Sequence, residues 1–435
     1  MTVREAAPYP GHCYFTGLEA ELRPAAPARG PARVALVSLH TSPLAVPGQG
    51  DAGGMNVYLL GVAKAMARQG VAVDLYTRAA SADELARPTV SVADGVAVHF
   101  LRAGPVAPLA KEDLPGVADQ FAAGLARHEP AAVVHSHYWL SGLAGAQVAA
   151  AWGVPHVQSL HTVASLKNAT LAPGDQAEPA LRLAEEQRLA QGAARVVAVS
   201  PAERDAIVRD YGVPAERVAV VSPGVDPAVF HPAAGQGLPK DLPAALNRPQ
   251  GYILMLGRVQ PIKGQDLAIR ALAHLKPATR PALVVLGAPS SGHLDYAVGL
   301  KRLAADLGVA GDVVFLGAQP VDRLVALIQG GRLTVMPSRS ETFGMVALES
   351  AACGTPVVAA NTTGLRSAVA DGVSGLLVDG RDPAVWAGAI GRVLRDGRLR
   401  ARLSRGGVEL GRSRSWDVAA GALLAAYRPL VCCCN

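Results

Sequence analysis

Apolar residues along this chain come in short blocks rather than long ones. The first clear block, Arg33-Val34-Ala35-Leu36-Val37-Ser38-Leu39, has the length of a strand and is apolar on both faces, as a buried parallel strand is. A glycine-rich loop follows, then a helical periodicity over 55–69 stopped by Gly70, then a second strand over Val71–Tyr76. The strand signal returns at Ala132–His135, His156–Leu160, Val196–Val199 and Val218–Val221. Each of these lies a helix-length stretch from the next, which predicts a parallel sheet assembled from βαβ units.

Between residues 231 and 250 the pattern breaks into proline, glycine and polar residues (HPAAGQGLPKDLPAALNRPQ), the composition of a linker. A second series of strand blocks then runs through Tyr252–Gly257, Ala282–Gly287, Val313–Leu316, Leu333–Met336, Pro356–Ala359 and Gly375–Val378. The sequence therefore predicts a disordered extension over 1–31, a first domain over 32–230, a linker over 231–250 and a second domain over 251–412. Residues 413–435 are expected to form a helix and a tail; Trp416–Leu430 is amphipathic, and periodicity alone leaves open which half it packs on. Two such domains place their strand C-termini on a shared cleft, where ligands bind in this architecture.

Composition narrows the class. At 435 residues the chain exceeds what one ordinary core holds, and 50% hydrophobic with 17% charged residues fits a well-buried globular protein. A net charge of +6 is modest and dispersed, and 4% aromatics are too few for base-stacking platforms, so nucleic acid is not the expected partner. No apolar run reaches the roughly 18–20 residues of a membrane span, and the proline-broken N-terminus has no secretory apolar core. The expected setting is cytoplasmic. Of the five cysteines, Cys432-Cys433-Cys434 read as a frayed tail and Cys353 as a small buried side chain; neither makes a disulfide framework or a zinc site.

The loop from His40 to Asn56 joins the first strand to the first helix. Gly53 and Gly54 let backbone approach a ligand closely, and the helix beyond offers unpaired N–H groups suited to phosphate. It is neither a P-loop nor a dinucleotide fingerprint, and a tight turn alone would also ask for glycine. In the second half, Glu341 sits in a polar turn and Glu349 eight residues later, on a helix expected to start near Phe343 and to be capped by Ser338 or Ser340. Small and apolar neighbours argue against Glu349 being a solvated helix glutamate. Arg258 and Lys263, in the loop Gly257–Gly264, are placed to neutralise a leaving diphosphate, although two solvated loop cations would look the same. No D-x-D pair lies near these loops, so no metal is expected.

Together these motifs resemble the retaining glycosyltransferases of family 4, which carry an E-x7-E pair, and the resemblance spans residues 33–430. More narrowly, HTSPLAVPGQGDAGGMNVY, HSHYWLSG, HTVASLKN, VVSPGVD, GRVQPIKG and SETFGMVALE are similar to the branch that glycosylates inositol phosphate in actinobacteria. The resemblance implies an α/β, GT-B fold: two Rossmann-like parallel-sheet domains facing a central cleft, the first binding acceptor and the second the nucleotide sugar. It implies transfer of N-acetylglucosamine from UDP-N-acetylglucosamine to an inositol phosphate, opening mycothiol biosynthesis. No cofactor beyond that donor is expected, and a homodimer is left open.

Carried over by position, His40, Asp51, Gly53, Gly54 and Asn56 would line the acceptor, and Lys111, Tyr138, Thr162 and Arg182 would hold its phosphate. Pro47 and Gly54 would touch the donor, Arg258 and Lys263 its diphosphate, Glu341 and Glu349 its sugar and ribose, and Gln319 its base through the main chain. His161 would lie beneath the reacting sugar, which makes His161, Arg258, Lys263 and Glu341 the catalytic set. Two cations, a phenol and a hydroxyl make a chemically sensible phosphomonoester site.

Three stretches depart from the family pattern. Thr362-Thr363-Gly364-Leu365-Arg366 stands where the family has a double glycine, Val46 replaces a more polar residue, and Gly330-Gly331-Arg332 replaces Ala-Ala-Asp. The first keeps alternatives open. One is a paralogue in antibiotic biosynthesis, such as a lincosamide pathway, moving another NDP- or GDP-activated sugar to a small thiol or betaine such as ergothioneine; another is a non-catalytic sugar-nucleotide sensor.

Overall fold

The computed structural model describes residues 31–46, 53–171, 176–233, 242–290 and 292–431. The expected extension up to residue 30, Pro47, Asp51, part of the expected linker and the Cys432–Cys434 tail lie outside them. The first sheet contains β1 (Arg33–Ser38), β2 (Ala72–Arg78), β3 (Thr89–Ala93), β4 (Val96–Leu101), β5 (Val133–His137), β6 (His156–Ser159), β7 (Arg195–Ala198) and β8 (Val218–Val220), in the order β3-β4-β2-β1-β5-β6-β7-β8. All its pairings are parallel except β3 with β4. The second sheet contains β9 (Tyr252–Leu256), β10 (Ala282–Leu286), β11 (Val313–Gly317), β12 (Thr334–Met336), β13 (Val357–Ala360) and β14 (Gly375–Val378), in the order β11-β10-β9-β12-β13-β14 and wholly parallel.

The continuous apolar blocks became the central strands: every residue of β9 and β10 is buried, and so is β1 after Arg33. The β3–β4 hairpin is an element the sequence reading did not contain. β3 lies at the sheet edge with no residue fully buried, so it offers no apolar block. Within 231–250, Leu242 and Leu246 are buried in the core beneath the second sheet, and Ala244–Asn247 forms a 3-10 turn.

The chain crosses between the two halves twice, and the crossings lie side by side. Val225 N–H donates to Arg414 C=O at 2.8 Å, and Val225 bridges Ser415. The final helix, Trp416–Val431, then docks on the first domain against the helix Gly54–Arg68. A Cβ added to Gly61 would meet the Trp416 indole at 2.5 Å, so the absence of a side chain is what admits the ring. Asp417 pairs with Arg68 at 2.7 Å, and the Tyr427 hydroxyl reaches His135 Nδ1 at 2.6 Å. Among the described residues, no helix is long and apolar enough to cross a membrane.

Candidate active site

Residues at the C-terminal ends of the central strands supply the site. From the first sheet, His40 follows β1, Tyr138 follows β5, and His161 and Thr162 follow β6. From the second, Arg258 and Lys263 follow β9, Glu341 follows β12 and Thr363 follows β13. Among the described residues three non-glycines take left-handed φ: Tyr138 (75°), His161 (60°) and Thr363 (28°). Such conformations are costly for L-residues and cluster where function holds them. All three lie within three residues of a strand's C-terminal end.

The two helices that start at this level meet across the cleft. A Cβ on Gly54, first residue of the helix Gly54–Arg68, would lie 3.4 Å from the Met345 sulfur, first residue of the helix Met345–Ala352. Two sets of unpaired N–H groups and two positive dipole ends therefore converge on one volume, a setting that favours phosphate. The cap differs from the sequence expectation. Gly344, with φ 95°, caps the Met345 helix and no side chain does. Ser338 does not cap it; its hydroxyl donates to Glu341 Oε1 at 2.8 Å, and Ser340 is not the cap either.

Lys263 Nζ donates to the same Glu341 oxygen at 2.6 Å, joining the β9 and β12 loops. Those loops are also stitched through main chain, Arg339 N–H to Ile262 C=O at 2.8 Å, and Gln265 Nε2 holds Arg258 C=O at 3.0 Å. The Arg258 side chain has no hydrogen bond or ion pair among the described residues. Eight residues beyond Glu341, Glu349 lies partly buried on the Met345 helix, and burial pushes its carboxyl up to about 7. Gln319, after β11, folds its amide onto Leu316 C=O at 2.5 Å.

On the first domain, four residues named for the acceptor form one connected group. The His40 ring packs on Tyr138 with centroids 4.5 Å apart, the Arg182 guanidinium lies over Tyr138 at 4.8 Å, and Arg182 donates to Thr162 Oγ1 at 2.9 Å. Arg182 is no solvated charge. It is 4% exposed and paired with Glu186 at 2.6 Å and Glu178 at 2.8 Å. Glu186, wholly buried, also accepts from Tyr211 Oη and the Ala164 N–H, so its oxygens are all engaged. Burial raises the Tyr138 phenol, partly offset by Arg182, and it stays protonated at neutral pH. Lys111 lies half-buried in the turn before the 3-10 helix Leu114–Val117, and the contacts that join the other four do not include it.

Asn56 is buried and spends its side chain on the loop itself. It accepts from Gly53 N–H at 3.0 Å and donates to Thr41 Oγ1 at 3.0 Å and Ser42 C=O at 2.5 Å. It shapes the loop around the ligand-facing edge rather than reaching past it.

His161 sits in a histidine layer. Its Nε2 is 2.8 Å from His137 Nδ1, while His137 Nε2 is buried without a partner. A bare acceptor costs less than a bare N–H there, so His137 donates and His161 accepts, leaving the His161 proton on Nδ1. Burial holds His161 down at about 3, so the ring is neutral. Tyr58 meets it edge-on at 5.1 Å, and the fully buried Glu203 accepts the His161 and Val199 main-chain N–H groups.

Of the departures from the family pattern, Thr363 belongs to the site and Gly330-Gly331-Arg332 does not. Arg332 N–H bonds Tyr252 C=O at the start of β9, the opposite end of the sheet, and Gly331 packs on Leu254. Val46 is exposed. Sequence reasoning named Ser338 and Thr363 without their bonds to Glu341, and missed His137, Glu178 and Glu186. Only the last two had a readable signal, the i, i+4 spacing Glu178–Arg182–Glu186.

The family model for glycosyl transferases group 1 matches residues 242–409, and that for the glycosyl transferase 4-like domain matches residues 53–224. The chain is 45% identical to the D-inositol 3-phosphate glycosyltransferase of Acidothermus cellulolyticus, over 92% of this chain and 90% of the relative. It is 46% identical to that of Salinispora arenicola, over 93% of each. Among solved structures, sucrose-phosphate synthase from Thermosynechococcus elongatus superposes with a TM-score of 0.82 at 27% identity, covering 92% of this chain and 99% of the other. HepE from Anabaena, solved with UDP and glucose, shares the fold with a TM-score of 0.70 at 20% identity, covering 90% and 98%. The chain is a glycosyltransferase of GT-B fold and belongs to the D-inositol 3-phosphate glycosyltransferase family.

Proposed function

We propose that this chain is a retaining, family 4 glycosyltransferase that moves N-acetylglucosamine from UDP-N-acetylglucosamine to 1L-myo-inositol 1-phosphate (D-inositol 3-phosphate), the opening step of mycothiol biosynthesis, in the cytoplasm. The observation that carries this reading is the Lys263–Glu341 pair at the start of the Met345 helix, facing the Gly54 helix across one cleft. The choice of substrates rests on the relatives, which are named for D-inositol 3-phosphate.

In this reading the nucleotide sugar lies along the second domain. Glu341 takes hydroxyls of the sugar, Glu349 those of the ribose, and the Gln319 main chain meets the base; Pro47 and Gly54 close the donor from the first domain. Lys111, Tyr138, Thr162 and Arg182 hold the acceptor phosphate, with His40, Asp51, Gly53 and Gly54 around the inositol and Asn56 shaping that loop from behind. Because Arg182 is already balanced by two carboxylates, its part is a directed hydrogen bond and a rigid wall more than net charge.

The acceptor hydroxyl attacks the anomeric carbon from the face that UDP leaves. The bond to the diphosphate oxygen breaks as the glycosidic bond forms, and the acceptor proton passes to that departing oxygen. Arg258, Lys263 and the N–H groups at the helix start stabilise the charge that develops on UDP. The neutral His161 ring, with its proton on Nδ1, lies beneath the sugar without becoming a nucleophile.

The test offers the purified chain UDP-N-acetylglucosamine, UDP-glucose and GDP-sugars, each with inositol phosphate or free inositol, and identifies products by mass. A product from UDP-N-acetylglucosamine and inositol phosphate is expected. Turnover confined to a GDP-sugar and an unphosphorylated acceptor would favour the paralogue reading, and donor binding without any turnover would favour a sensor.

A further inference from the structure

Glu341 lies in a loop, where neither a helix nor a sheet ladder fixes its main chain. One side chain does that work. Thr363 Oγ1 accepts the Glu341 N–H at 3.0 Å and donates to the Glu341 C=O at 2.8 Å, so a single hydroxyl engages both polar groups of the same residue. The Gly364 N–H adds a second bond to that carbonyl at 2.9 Å. Gly364 lies flush against the Thr342 carbonyl, where a Cβ would collide, so the two loops have no slack. The Glu341 carboxylate is meanwhile held by Ser338 and Lys263 at its other end.

The conformation of Thr363 makes the arrangement more telling. Its φ of 28° lies in the region where β-branched residues are disfavoured and glycine is at home. Glycine would fit this backbone at less cost but would leave the Glu341 main chain without the hydroxyl. We propose that Thr363 is a positioning residue, whose hydroxyl fixes the Glu341 main chain so that its carboxylate is presented to the donor sugar. The inference rests on the donor role of Glu341 proposed above.

The test compares Thr363→Ser, Thr363→Val and Thr363→Gly for donor KM, acceptor KM, UDP affinity and thermal stability. Loss of the hydroxyl in the Val and Gly variants raises donor KM about five- to ten-fold, as one lost hydrogen-bonded constraint does. Serine restores the wild-type value. UDP alone binds all four proteins equally, because Glu341 meets the sugar and not the nucleotide, and acceptor KM is unchanged. The Gly variant stays near wild-type stability, because relief of the unfavourable φ offsets the lost hydrogen bonds. Wild-type donor KM in both the Val and Gly variants overturns the proposal. So does a parallel loss of stability, UDP affinity and acceptor KM, which would mark a purely structural role. Should the wild-type protein turn over a different nucleotide sugar, the substrate assignment fails on its own, and the same series run with that donor still decides the role of Thr363.

Discussion

Lys263 and Glu341, 78 residues apart in sequence, meet at 2.6 Å between the loops that follow β9 and β12. Their side chains are 22% and 12% exposed, enough burial for the geometry to be firm and enough exposure for the pair to add little stability. Lys263→Ala should therefore cost no more than about 1 kcal/mol of stability, while kcat falls about 10²–10³-fold for loss of a cation that meets developing charge. Denaturant titration and steady-state kinetics on the same preparation separate the two effects.

Glu349 gives a pH dependence. Its folded-state carboxyl is raised by burial to about 7, so the native state binds a proton that the unfolded chain has released. Its favourable contribution is full below the ordinary carboxylate range and is lost as pH rises through about 7. Glu349→Gln removes the cost of burying the charge and should raise stability at pH 8 by up to about 3 kcal/mol, with the gain shrinking towards pH 5. The same change weakens the donor, and the wild-type rise in donor KM below about pH 7, as Glu349 takes up its proton, disappears in the variant. Urea unfolding and donor KM across pH 5–8 check both.

Arg182 and Thr162 make a contrasting pair. Thr162 is exposed, so Thr162→Val should raise acceptor KM with little change in stability. Arg182→Met leaves the fully buried Glu186 without its cation, while Glu178 keeps Lys167, and should destabilise by about 3–5 kcal/mol as well. Unfolding curves beside acceptor KM distinguish the two.

The last helix is tied to the site through histidines. Tyr427 bonds His135, whose ring lies 4.1 Å from that of His137, which in turn bonds His161. Tyr427→Phe strands a buried His135 nitrogen and should cost about 1–3 kcal/mol. Hydrogen exchange should show the loss in the helix Trp416–Val431 and in β5 together, rather than in the second domain.

How much of this was legible in sequence depends on the range of the interaction. The apolar blocks of β1, β9 and β10 are strands because nothing but burial on both faces suits them. The β3–β4 hairpin escaped because its edge strand is half exposed, although Asp94-Gly95, with Gly95 at φ 73°, is the two-residue turn that joins such strands. Glu341 and Lys263 were nameable from local motifs, but their pairing was not. Ser338 looked like a cap because hydroxyls before helices usually are; the helix starts only at Met345, so Gly344 holds the cap position and Ser338 bonds Glu341 instead. Thr363 was visible only as a departure, since its φ and its bonds to a residue 22 positions away have no signature in sequence.

The central claim is transfer of N-acetylglucosamine to inositol phosphate with the donor's configuration kept, and it is tested most directly by proton NMR of the isolated product. An α-anomeric proton coupled to an N-acetylglucosamine ring joined to phosphorylated inositol is the predicted result. A β-linked product, or a sugar joined to any other acceptor in preference, would contradict it.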